Sequence, residues 1–156
     1  MPHEASPDLT LKLFALLHVL AATAWVGGHI VLLTVVLPRA LRDGDPQRVR
    51  DFEQGFGRVG LAALAVLVAS GFWLAINAVA DWGAFLSLPN PESRLVAVKL
   101  GLLVATVVVA AHGHRRVLPQ LAPGRMRPFA IHACIATALA VLMLVVGVAL
   151  RFAAPS

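Results

Sequence analysis

Four long stretches of the chain lack the regular polar interruptions that a water-facing helix or strand needs. They run from about Leu11 to Leu37, from Val59 to Ala80, from Leu95 to Ala111 with a polar tail His112-Gly113-His114, and from Phe129 to Leu150. None alternates with period two, which argues against a transmembrane barrel. Each has about the 20 residues that a helix needs to cross a bilayer. Pro38 is expected to close the first span. Asp45-Pro46 has the form of an N-cap followed by proline at the first helical position. Behind it, Val49, Phe52, Phe56, Val59 and Ala63 recur at three- or four-residue steps. The second helix should therefore begin near Pro46 and enter the membrane already formed. Asn90-Pro91 and Pro128 mark the starts of the third and fourth helices. Asp81 to Leu88, with Trp82 and Phe85, is too short to span and reads as an interfacial segment. The expected fold is a single transmembrane domain over residues 1–156, an all-α, up-down-up-down four-helix bundle.

Composition strengthens this reading. The 156 residues are 59% hydrophobic and only 13% charged, with a mean hydropathy of +0.82. A soluble domain is about half apolar and a quarter charged, and a 16.5 kDa globule cannot hide this much apolar surface. A soluble enzyme, a disordered chain and a coiled coil are excluded. One cysteine, Cys134, excludes a disulfide scaffold. The net charge of +5 does not indicate nucleic acid, because the arginines sit between the apolar spans. The first loop and its flanks carry Arg39, Arg42, Arg48, Arg50 and Arg58, and the third carries Arg115, Arg116, Arg125 and Arg127. The opposite side has only Lys12, Arg94, Lys99 and Arg151. Nine against four places the arginine-rich loops in the cytoplasm and both termini outside an inner (plasma) membrane. The first apolar run continues well past Ala22-Thr23-Ala24, so it reads as a retained helix rather than a cleaved leader.

Candidate chemistry lies in the few polar groups inside these spans. His18 and His29 are on the first helix, Lys99 on the third, His112 and His114 at its end, and His132 on the fourth. Eleven residues separate His18 from His29, three turns and about 16 Å of rise, so both share a face with Trp25. His132 and Met143 are related in the same way. Two levels result. The inner one holds His29, His132 and His112 or His114; the outer one holds His18, with Lys99 or Met143 as partner. Imidazole binds iron, copper and zinc, and a thioether or amine can complete such a sphere. Gly27-Gly28 and Ser70-Gly71 permit close approach of a helix or of a flat ligand.

The run His18-Val-Leu-Ala-Ala-Thr-Ala-Trp25-Val-Gly27-Gly28, ending at Leu37-Pro38, resembles the CopD-like membrane domain, named for copper-resistance protein D. Phe52 and Phe56 before Arg58, Val68-Ala-Ser70-Gly71-Phe72, and Lys99-Leu-Gly-Leu-Leu extend the resemblance over residues 11–150. That domain is in turn similar to HemJ, a haem-binding membrane protein associated with protoporphyrinogen oxidation. His18, Trp25, Gly27 and Lys99 match its pattern, and the resemblance implies haem contacts for His18 and Lys99. The Pro-Arg pair stands later here, at Pro38-Arg39, and His29 replaces an apolar residue.

The leading expectation is a membrane b-type haem protein, with one or two haems held by His18, His29, His112 and His132 beside Lys99, Trp25, Gly27 and Gly28. It would pass electrons to quinone or a soluble redox partner, or act as a haem-dependent oxidoreductase. The first alternative is copper transport or homeostasis through His29, His132, Cys134 and Met143. The second is a cofactor-free assembly or structural subunit. Four helices enclose a haem tightly, so a homodimer is also an expectation.

Overall fold

The computed structural model describes residues 7–78, 87 and 91–153. Helix α1 spans Pro7–Val31, α2 Leu37–Asp43, α3 Gln47–Ala78, α4 Pro91–His112 and α5 Arg127–Ala153. Four helical stretches are long and apolar enough to cross a membrane: Leu9–Asp43, Gln47–Asn77, Ser93–Gln120 and Arg127–Leu150. The protein is an all-α four-helix bundle. The proposed interfacial segment, apart from Ser87, lies outside the described residues.

Local chemistry accounts for the helix starts. The Asp45 side chain accepts a 2.9 Å hydrogen bond from the Gln47 backbone N–H, which caps α3 as its sequence predicts. Helices α4 and α5 begin at or next to Pro91 and Pro128. Pro38, in contrast, does not close the first span. Leu32–Val36 forms a π-turn, in which the Leu37 N–H reaches the Leu32 carbonyl, and α2 continues the helix to Asp43. A wide turn just before a proline absorbs its missing donor and its ring without ending the helix. The stop comes instead at Gly44, whose φ of 66° gives a left-handed C-cap. The third span also outruns its expected end, passing through a π-turn at Gly113–Val117 and a 3-10 turn at Leu118–Gln120.

Helix α1 packs chiefly on α3 and α4 on α5, and contacts between α1 and α5 join the two pairs. The best-buried cluster lies at the arginine-rich end rather than at mid-membrane. Leu32, Leu37, Ala40, Val49, Leu121, Met126, Phe129 and Ala133 form it, with Ala40 and Val49 wholly inaccessible. Arg50 ties this end together by donating from Nη2 to the Leu121 carbonyl. Deeper in the bundle a small cluster of Ala21, Ala63 and Leu67 lets α1 approach α3. Most large apolar side chains elsewhere, such as Leu16, Val104 and Val145, face outward. Lipid is as apolar as they are, so such side chains need no protein cover.

Candidate functional site

A cavity of about 1020 Å³ opens between α1, α3, α4 and α5. On α3 its lining extends from Arg50 to Leu64, about 21 Å of helix. Three histidines line it: His29 from α1, His132 from α5 and His114 from the π-turn after α4.

His29 is held by its own helix. Its Nδ1 lies 2.9 Å from the Trp25 carbonyl, which can only accept, so Nδ1 carries the proton and Nε2 keeps its lone pair. The Trp25 ring tilts against the imidazole, with centroids 4.7 Å apart and planes at 50°. His132 rests on Gly113: a Cβ at that position would overlap its Nε2 edge. This seat is a residue that the sequence marks only as part of a polar tail. The His112 and His132 ring centroids are 5.7 Å apart; His112 and His114 are both exposed, and His112 does not line the cavity. His114, two residues on, does line it.

The glycine pair splits in role. Gly28 receives the Phe56 ring, and a Cβ there would overlap it. Gly27 has open space around the equivalent position and does not line the cavity. Phe52 stacks beside Phe56 with centroids 5.4 Å apart, and both rings form cavity wall.

The outer level has a different partner from those the spacing suggested. His18 Nδ1 lies 2.9 Å from Ser70 Oγ. The Ser70 hydroxyl has one proton and lies 2.5 Å from the Val66 carbonyl, so it donates there and accepts from His18. Gly71 allows this approach, since a Cβ on it would lie 3.1 Å from His18 Cε1. Lys99 is in electrostatic reach of His18, and its Nζ comes close to Gly147 of α5. Ser70 is the residue that sequence reasoning missed as a partner; a buried hydroxyl in an apolar run was the available signal.

The all-protein copper set His29, His132, Cys134 and Met143 does not assemble. Cys134 is exposed, as expected two residues, or about 200° of helix, from His132. Met143 is three turns from His132, about 16 Å along the axis, and does not line the cavity. Among the described residues no three His, Cys, Asp or Glu side chains are grouped closely enough to hold a metal ion on their own.

No curated protein and no solved structure matches the chain. A family model described as copper resistance protein D matches residues 50–151, more than half of the chain. The match begins at Arg50, so the first-helix motif from His18 to Gly28, where the resemblance is most specific, lies outside it. The matched segment contains α4 and nearly all of α3 and α5, with His114, His132 and the arginines of the cavity wall. With four membrane-crossing helices and this match, the chain is an integral membrane protein that belongs to the copper resistance protein D family.

Proposed function

We propose that the protein works in copper homeostasis at the membrane, handling copper at the cavity near the arginine-rich end of the bundle. The observation that carries this reading is the presence of three imidazoles from separate elements, His29, His114 and His132, around one cavity in a chain of this family. Imidazole suits copper, and His29 keeps Nε2 free for a ligand. In this reading copper would be held by few protein ligands, His29 and His132 first among them. The arginine-rich loops are placed on the cytoplasmic side in this proposal, by the charge bias between loops.

A second reading is favoured by the size of the cavity. About 1020 Å³ is at the top of the range for sites that enclose an organic ligand, far more than an ion needs. Much of its wall is apolar, including Leu61, Leu64, Val107 and Phe129. A b-type haem would fit this chemistry, with His29 and His132 as its holders, and would supply one-electron transfer when bound. His18, beside Ser70 and Lys99, would belong to a second such site.

Absorption spectra and copper analysis of the detergent-purified protein separate the readings. Copper in proportion to protein, with no Soret band, supports the first. A Soret band that sharpens on dithionite reduction, with a positive pyridine haemochrome assay, overturns it in favour of the second. A colourless, metal-free protein whose histidine variants differ from it only in stability overturns both and leaves a packing subunit.

A further inference from the structure

The cavity wall is amphipathic along its length. The apolar part is formed by Trp25, Leu64 and Ala136, with the exposed Leu61 and Val107 at its open side. Arg50 and Arg115 stand toward the other end and Arg58 lies between, two turns along α3 from Arg50, with Glu53 the carboxylate in the lining. Arg50 is the informative member. Its Nη2 is committed to the Leu121 carbonyl, but its Nε–H is buried without a partner among the described residues. An unmet buried donor on a cation is costly unless an acceptor reaches it. The copper reading uses the imidazoles and leaves these guanidinium groups without a role, and their charge matches an anionic occupant.

We propose that the cavity binds an amphipathic anion, with its hydrocarbon body against Leu61, Leu64 and Val107 and its carboxylate or phosphate head at Arg50, Arg58 and Arg115. A two-chain membrane lipid and a free single-chain acid both offer this chemistry. The inference goes beyond the copper reading and stands or falls separately from it, because it concerns the arginines and apolar wall rather than the imidazoles.

Trp25 lies in the wall and reports occupancy. Brominated chains quench tryptophan on contact, and subtracting the signal of Trp25→Phe isolates its share. The probes are dibromostearate, brominated phosphatidylglycerol and brominated phosphatidylcholine, added to the full chain in dodecyl maltoside. Saturable quenching of the Trp25 share by an anionic probe, about tenfold tighter than by phosphatidylcholine, is expected. Preference for phosphatidylglycerol identifies a bilayer lipid, and preference for dibromostearate a single-chain acid. Arg58→Gln and Arg115→Gln should each weaken binding several-fold. Neither donates to the Leu121 carbonyl as Arg50 does, so these variants keep the test independent of that link. Equal quenching by anionic and zwitterionic probes, arginine variants without effect, or full displacement by inorganic phosphate alone would each overturn the proposal.

Discussion

Gly28→Ala tests whether the Phe56 ring is truly seated on α1. The new methyl group would overlap the ring edge, and the ring has little freedom to yield. Phe52 stacks on it at 5.4 Å, and a Cβ at Gly60 of its own helix would lie only 3.2 Å from it. Overpacking of this kind costs about 1–3 kcal/mol. Loss of the Phe52 stacking adds up to about 1 kcal/mol if the ring swings away. Replacing a helical glycine by alanine returns about 1 kcal/mol. The net expectation is destabilisation by up to about 3 kcal/mol. Gly27→Ala meets open space, so only the propensity gain of up to about 1 kcal/mol remains. The assay is thermal unfolding in detergent, followed by circular dichroism, for both variants, for Phe56→Ala and for the double variant Gly28→Ala/Phe56→Ala. A double-mutant cycle should show that Phe56→Ala relieves most of the cost of Gly28→Ala. Equal effects at the two glycines, or no coupling to Phe56, would refute the reasoning.

Further expectations follow from the same geometry. Leu121→Ala should cost about 2–4 kcal/mol, because Leu121 is 2% exposed in the best-buried cluster; unfolding midpoints within error of wild type would contradict this. Ser70→Ala should destabilise by about 1 kcal/mol, since it removes the hydroxyl acceptor of His18 Nδ1 and leaves it the Leu67 carbonyl, while Ser70→Thr should retain part of the bond. Unchanged melting in Ser70→Ala would show that His18 does not need the hydroxyl. In a Cys134→Ser background, Arg42→Cys should react with a membrane-impermeant maleimide only when reagent reaches the cytoplasmic side; labelling of intact cells would reverse the assigned orientation.

Helix starts were legible because caps are local: Asp45, Pro91 and Pro128 act within a turn of the boundary they set. Helix ends were less so. Pro38 reads as a stop in any linear scan, and only the π-turn at Leu32–Val36, a cooperative adjustment of the preceding turn, lets the helix pass it. The placement of His29 and His132 around shared space follows from helical periodicity. The choice between His112 and His114 does not. The chain widens into a π-turn at Gly113, between them, so the regular 100° step no longer fixes their relative direction. The seat of His132 on Gly113 and the bond of His18 to Ser70 depend on contacts between helices, which no single-helix pattern records.

The claim that the cavity is a copper-handling site is tested most directly by copper stoichiometry. Purified wild-type protein and the His29→Ala/His132→Ala variant are equilibrated with copper, passed through a desalting column and analysed for metal per chain. The account predicts copper retained in proportion to wild-type protein and largely lost from a variant that is still folded. Equal retention by the two proteins, or none by either, would contradict it.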